Sequence, residues 1–235
     1  MEKKMKVDIG IIGAMDEEVC ALVGMLLKPK RERIGSIDFY VGRIFNKKVV
    51  IAKCGVGKVF AAIAAEAMIL NYSPKLIVNT GVGGALGAGI TTTNVVIADK
   101  LCQHDMDTSA VGDPKGLISG INKIYFETDQ RAVELLTRAA EVLSLKSFVG
   151  TIATGDQFVC AASEKTRIVS EFSAICCEME GAAIAQVATV NNVPFAVVRA
   201  ISDSADGEAT MDFPTFLPIA AENSTAMTLS LIKDY

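Results

Sequence analysis

Two apolar segments in this 235-residue sequence deliver acidic side chains: Cys177-Glu178-Met179-Glu180-Gly181-Ala182-Ala183 and Val197-Val198-Arg199-Ala200-Ile201-Ser202-Asp203. A carboxylate embedded among apolar residues is expensive to desolvate unless it is paired, hydrogen-bonded or protonated. Its pKa is then displaced toward the range in which it can exchange protons with a substrate. That makes Glu178, Glu180 and Asp203 candidates for acid–base work. Taken singly, each is better explained as a cap on the helix that follows its strand.

Other reactive residue types are sparse. His104 is the one histidine, so a site of several histidine ligands is excluded. It stands in His104-Asp105-Met106-Asp107, where a surface or interface histidine satisfied by a neighbouring carboxylate is the preferred reading. Cysteines 20, 54, 102, 160, 176 and 177 never form a C-x-x-C pair and sit mostly in apolar stretches. They read as free thiols acting as small hydrophobes, rather than disulfides or zinc ligands. Glu17 and Glu18 follow a strand and open a helix, where the helix dipole favours acids. Glu18, one residue further in, needs another explanation if its loop faces a cleft.

Three glycine clusters follow strands: Gly10–Gly13, Gly55-Val56-Gly57-Lys58 and Gly81-Val82-Gly83-Gly84-Ala85-Leu86-Gly87. Such loops let the backbone approach a ligand closely. The third resembles a dinucleotide fingerprint, with Asp99 about 20 residues later. The interval from Gly87 to Thr93 is too short and too Gly/Thr-rich for the helix a Rossmann unit needs, so that reading fails. There is no G-x-x-x-x-G-K-[ST] motif. Lys58 reads either as an anion ligand or as a helix-start lysine reaching solvent, and spacing does not choose between them.

The elements that must carry these residues alternate. Strand-like runs are expected over Val7–Gly13, Asp38–Ile44, Val49–Lys53, Leu76–Thr80, Asn94–Ala98, Phe148–Ala153, Ala174–Cys177 and Phe195–Ala200. Helical stretches are expected over Glu17–Leu27, Lys58–Leu70, Asp129–Leu143, Ser163–Phe172, Glu180–Val190 and Phe216–Ile232. This alternation predicts an α/β layered fold, and the short Gly42–Asn46 connection adds an antiparallel pair, hence a mixed sheet. The segment Ala98–Ile124 has little periodicity and reads as a long loop of functional or interfacial use. With no linker and no repeat, residues 1–235 form one expected domain, with 1–6 as a disordered N-terminal extension.

The sequence is 51% apolar, enough for a large core, and 23 Lys+Arg against 27 Asp+Glu give a net charge of −4. That balance carries no electrostatic footprint for nucleic acid and no basic run for a membrane surface. The run after Lys6 is interrupted by Asp8 and closed by Asp16-Glu17-Glu18, so neither a signal peptide nor a span of ~20 apolar residues is read. A cytoplasmic location is expected.

Ile9-Gly10-Ile11-Ile12-Gly13-Ala14-Met15-Asp16-Glu17-Glu18, Asn79-Thr80-Gly81, Gly155-Asp156-Gln157-Phe158, Glu178-Met179-Glu180 and Arg199-Ala200-Ile201-Ser202-Asp203 occur in this order. Together they resemble the 5′-methylthioadenosine/S-adenosylhomocysteine nucleosidases of the nucleoside phosphorylase superfamily. The resemblance runs from about Val7 to the C-terminus. It implies a three-layer α/β/α fold around a central mixed, twisted β-sheet, and a homodimer. It implies hydrolysis of the N-glycosidic bond between adenine and the 5-thioribose sugar, without metal or cofactor. By the same resemblance Glu18 would activate water and Asp203 would protonate adenine N7. Glu180 would hold the ribose hydroxyls with Met179 beside them, Phe158 would stack on the purine and Val159 would meet its polar edge. Gly84 would lie in the substrate-lining glycine loop, and Met15, Val56 and Phe213 would line the 5′-alkylthio side. The 104–112 loop would reach into the partner's site.

Two features depart from that pattern. Val82 stands where the family commonly places a serine, so it offers Asp203 no hydroxyl. Thr108 and Val111 stand where larger apolar or aromatic residues are expected near the 5′ substituent. A phosphorolytic nucleoside phosphorylase is the alternative enzyme, but a phosphate dianion needs basic partners, typically arginines, and no arginine lies in the glycine loops; Arg199 is expected to pair internally with a carboxylate. Hydrolysis of aminofutalosine or 5′-deoxyadenosine stays open, as does a nucleoside-binding protein without chemistry, although Glu18, Glu180 and Asp203 together argue against the last.

Overall fold

Strand β1 shows how this chain divides its apolar residues between two faces. Ile9 and Ile11 join the core beneath one layer of helices, whereas Ile12 joins the core beneath the other, as the two-residue strand period requires. The computed structural model describes residues 5–235. In chain order the elements are β1 (Ile9–Gly13), α1 (Asp16–Gly24), β2 (Leu27–Ile34), β3 (Ile37–Ile44), β4 (Lys47–Lys53), α2 (Lys58–Tyr72), β5 (Leu76–Ala85), β6 (Val95–Gln103), a 3₁₀ turn (Ser109–Val111), β7 (Phe126–Glu127), α3 (Gln130–Val142), β8 (Ser147–Thr154), α4 (Ala162–Phe172), β9 (Cys176–Glu178), α5 (Gly181–Val190), β10 (Phe195–Asp203) and α6 (Ala209–Asp234).

The strands form one mixed sheet in the order β10-β6-β8-β9-β5-β1-β4-β3-β2, with β7 on β6. Strand β10 also pairs with β5, so β5, β9, β8, β6 and β10 close into a ring. Strands β4, β1, β5 and β10 run parallel, and β3 and β4 form the expected antiparallel pair. Helices α2 and α5 contribute Ala61, Ala65, Met68, Ala182, Ile184 and Ala188 to one core. Helices α1, α3 and α6 contribute Leu22, Leu136, Met227 and Leu231 to the other. The three-layer α/β/α arrangement with a mixed central sheet is therefore present.

Several boundaries differ from expectation for physical reasons. Strand β2 is an additional edge strand paired only with β3, over a polar run containing Pro29, Lys30, Arg31 and Arg33. Lysine and proline are at home on sheet edges but hide the strand signal. Helix α1 accordingly stops at Gly24 rather than Leu27. Strand β6 runs on to Gln103 through a register shift between Ala98 and Lys100, so the unstructured reading of 98–124 holds only beyond it. Helix α6 begins at Ala209 and contains both Pro214 and Pro218. Of the expected disordered extension, residues 1–4 lie outside the described residues; Met5 N–H donates to Asn71 O at 3.2 Å.

Candidate active site

The parallel strands β1, β4, β5 and β10 send their C-terminal ends to one side of the sheet, the usual place for a ligand crevice in α/β folds. There a cavity of about 480 Å³ opens. Strand β9 meets β5 antiparallel with Cys177 opposite Gly84, which brings the Glu178-Met179-Glu180 segment to the same place. All ten residues that the sequence resemblance assigns to substrate or chemistry line this cavity. Glu18, Glu180 and Asp203 enter from the ends of three different strands. Phe158 and Val159 come from the turn after β8, and Met15, Val56 and Phe213 form the apolar remainder. The rings of Phe158 and Phe213 meet edge to face at 5.7 Å between centroids.

Glu18 is buried at the start of α1 and turned back on its own loop. Its Oε2 accepts N–H groups from Ala14 at 2.6 Å and Met15 at 3.0 Å, and its Oε1 accepts the Val82 N–H at 3.0 Å. Position 82 thus contributes through its backbone, and the hydroxyl on Asp203 is that of its own neighbour Ser202, whose Oγ donates to Asp203 Oδ2 at 2.9 Å. Asp203 Oδ1 accepts the Ala205 N–H at 2.9 Å. Glu180 Oε1 accepts the Gly57 N–H at 2.8 Å. A Cβ at Gly81 would overlap both Arg199 Nη1 and Glu18, and one at Gly84 would lie 2.8 Å from Asp203 Oδ1. The glycines are there because side chains occupy the space above them.

Arg199 is fully buried among these acids. Its Nη2 donates to Glu178 and Asn79 and lies 3.6 Å from Glu180 Oε2. Among the described residues its Nε and Nη1 have no hydrogen-bond partner. Burial opposes its charge, but Glu178, Glu180 and Glu18 outweigh that and hold it more firmly protonated than usual. The internal pairing expected for Arg199 is present, and the sequence does not reveal that the same cation also faces the other two acids.

Burial is the main force on all three candidate acids. It raises Glu18, against the charge of Arg199 and the three N–H donors. It raises Glu180 to about 7, with Arg199 opposing and Glu178 adding to the shift. It raises Asp203, against the Ala205 N–H and Ser202 hydroxyl, with Asp212 and Asp206 contributing in the same direction as burial. Three carboxyl groups with raised pKa values thus face one cavity, the arrangement that acid–base chemistry requires.

Glu178 lines the cavity too, but its oxygens are spent. Thr154 Oγ1 and Arg199 donate to them, as do the N–H groups of Glu180 at 3.0 Å and Gly181 at 2.7 Å. It caps the start of α5, which is the plain reading of such an acid. His104 is buried rather than at the surface, and its Nδ1 lies 3.2 Å from Arg167 Nη2, not against a carboxylate. Burial lowers its pKa. Lys58 is mostly buried and already paired: its Nζ lies 2.7 Å from Asp105 Oδ1. Thr108 donates to Asp113 at 2.9 Å and Val111 is 82% exposed, and neither lines the cavity. Among the described residues no cluster of His, Cys, Asp and Glu is arranged to hold a metal ion.

The chain has well-matched relatives. The family model of the phosphorylase superfamily matches residues 8–233. The 5′-methylthioadenosine/S-adenosylhomocysteine nucleosidase of Actinobacillus succinogenes is 37% identical over 227 residues, 96% of this chain and 98% of that protein. The nucleosidase of the same name from Neisseria meningitidis, solved in complex with methylthio-immucillin-A, superposes with a TM-score of 0.94 at 34% identity, over 97% of this chain and 99% of that one. The futalosine hydrolase of Helicobacter pylori superposes with a TM-score of 0.92 at 35% identity, over 97% and 98%. Matched in sequence and structure along almost its whole length, the chain belongs to the phosphorylase superfamily and, within it, to the 5′-methylthioadenosine/S-adenosylhomocysteine nucleosidases.

Proposed function

We propose that this protein hydrolyses the N-glycosidic bond of 5′-methylthioadenosine and S-adenosylhomocysteine, releasing adenine and the 5-thioribose sugar. The observation that carries this reading is the meeting of Glu18, Glu180 and Asp203 in one cavity whose lining contains no lysine or arginine. Departure of adenine leaves an oxocarbenium-like sugar, so the base needs a proton and the sugar needs nearby negative charge. Asp203, with its raised pKa, supplies the proton at adenine N7. Glu18 activates the attacking water, its backbone donors fixing the carboxylate's direction. Glu180 takes both ribose hydroxyls, so binding strengthens as the ring flattens. Phe158 stacks on the purine, Val159 meets its edge, Met179 flanks the ribose, and Gly84 leaves room below it. Met15, Val56 and Phe213 take the 5′-alkylthio group.

Phosphorolysis is disfavoured, because a phosphate dianion requires cationic ligands, and Arg199, beneath a lining without lysine or arginine, is engaged with Glu178 and Glu180. The test is adenine release from 5′-methylthioadenosine in phosphate-free buffer. A requirement for phosphate, with formation of a sugar 1-phosphate, overturns the hydrolase reading. The futalosine hydrolase likeness supports a second reading, hydrolysis of aminofutalosine. Comparing kcat/KM for methylthioadenosine, S-adenosylhomocysteine, 5′-deoxyadenosine and aminofutalosine decides between them.

The working form in this proposal is a cytoplasmic homodimer of one-domain subunits, with the 104–112 loop of each beside the other's cavity. Exposed Val59, Phe60, Ile63 and Leu70 on α2 support a partner face, and exposed Val111 on the 3₁₀ turn extends it. Free thiols support a reducing compartment. No helix among the described residues is long and apolar enough to cross a membrane.

A further inference from the structure

Lys58 is tied into the cavity rim twice, once by its side chain and once by its backbone. Its Nζ pairs with Asp105 Oδ1 at 2.7 Å and donates to Gln103 Oε1 at 3.1 Å. The other oxygen of Asp105 accepts the Asp156 N–H at 2.9 Å. Asp156 Oδ1 in turn accepts the Lys58 N–H at 2.8 Å, which closes a ring through three loops. Gly57, with φ of +100°, sits between this ring and the cavity, and its N–H reaches Glu180 Oε1 at 2.8 Å. A Cβ on Gly57 would lie 3.0 Å from Asp156 Oδ1, so the turn is seated directly on that carboxylate.

We propose that Lys58 and Asp105 are a positioning pair for the nucleoside, holding the turn before α2 and the turn after β8 at a fixed separation across the cavity mouth. The proposal rests on the nucleosidase reading above and gives Lys58 and Asp105 an individual role that reading does not. The pair touches neither sugar nor base. It acts through Gly57 on Glu180, and through Asp156 on Phe158 two residues later. Val56 on one turn and Phe158 on the other both line the cavity, so a change in their separation is felt by the bound nucleoside. The side chains of Lys58 and Asp105 are 19% and 29% exposed, so solvent weakens the pair less than it would a surface pair. Asp105 also stands at the root of the 104–112 segment, and the same anchor sets where that segment departs.

The experiment compares Lys58→Met, Asp105→Asn, the double variant and Lys58→Arg in the full chain. Turnover of methylthioadenosine is followed together with amide exchange at Gly57 and Asp156. Each single change is expected to raise KM about tenfold with kcat held within about threefold, because positioning is lost while the reacting carboxylates stay. The double variant is expected to be no worse than the poorer single variant, and Lys58→Arg is expected to recover most of the affinity. Exchange at both amides is expected to quicken in Lys58→Met. An unchanged KM with only a lowered melting temperature reduces the pair to a structural contact and overturns the proposal, as do additive effects. If the wild-type protein releases no adenine, the functional reading fails by itself. Exchange then judges the tie, and unchanged rates at Gly57 and Asp156 overturn it.

Discussion

Glu18 has both carboxylate oxygens against main-chain N–H groups, Glu180 has one on Gly57, and Asp203 divides its pair between Ser202 and Ala205. The proposed roles differ accordingly, and isosteric amides should separate them. Glu18→Gln and Asp203→Asn are each expected to lower kcat by about a hundredfold or more, the usual contribution of a placed acid or base. Steady-state kinetics with both variants at wild-type activity would remove the assignment. Glu180 carries a stability consequence as well. Its folded pKa of about 7 lies above the ordinary 4.5 because burial penalises the charge. Between those values the folded chain holds a proton that the unfolded chain has released, so wild-type stability falls as pH rises through this window. Glu180→Gln removes that penalty. It is expected to gain up to about 3 kcal/mol at pH 8 and under about 1 kcal/mol at pH 5, read from urea unfolding at both pH values. A gain that grew toward low pH would contradict a penalty arising from the buried charge. The same variant should lose nucleoside affinity, the usual exchange of stability against function at a site.

Strand β5 shows what a linear reading can and cannot reach. Its Leu76–Thr80 part is an apolar run and is legible as a strand, but the strand continues through Gly81-Val82-Gly83-Gly84-Ala85. Glycines look like a loop until one sees that Arg199, Glu18, Cys176 and Asp203 occupy the space a Cβ would need. Such long-range crowding has no local signature. Glu18 is legible for the complementary reason, since its motif sits in register with four others along the chain. Arg199 is legible as a paired cation but not as the hub of three acids. Lys58, Asp105 and Asp156 are not legible as a group, because their partners lie 47, 51 and 98 positions apart. Helix α6 starts earlier than its sequence suggests, because Pro214 and Pro218 argue against helix interiors, yet the chain begins the helix at Ala209 and carries both. Crowding above β5 should make Gly84→Ala, whose Cβ would stand 2.8 Å from Asp203 Oδ1 and 3.0 Å from Ala205 Cβ, displace the acid. A fall in kcat of about ten- to a hundredfold is expected, with overpacking costing about 1–3 kcal/mol in denaturant titration. Wild-type kcat in this variant would mean the acid has room to spare.

Helix α2 joins the cavity to the outside of the molecule. Its inner face, Ala61, Ala64, Ala65, Met68 and Tyr72, is packed on the sheet. Its outer positions are Val59, Phe60, Ile63 and Leu70, from 49% to 70% exposed, where a helix facing water would carry charges. The helix begins directly after Val56 and Gly57, so whatever covers the outer face also sits beside the cavity mouth. A second copy of this chain is the proposed cover, and it would bring its own 104–112 segment, with Val111 82% exposed, toward that mouth. Combining Val59→Glu with Ile63→Glu puts two like charges, which cannot pair with each other, at the centre of such a face without touching the cavity lining. Sedimentation is expected to shift from the dimer to the monomer mass of 24.9 kDa, while the fold persists because both side chains point away from the core. KM for methylthioadenosine is expected to rise in the monomer, since each site would lose the neighbouring loop. A wild-type chain already sedimenting at 24.9 kDa, or a monomeric variant with undiminished kcat/KM, would show that the cavity is complete within one subunit.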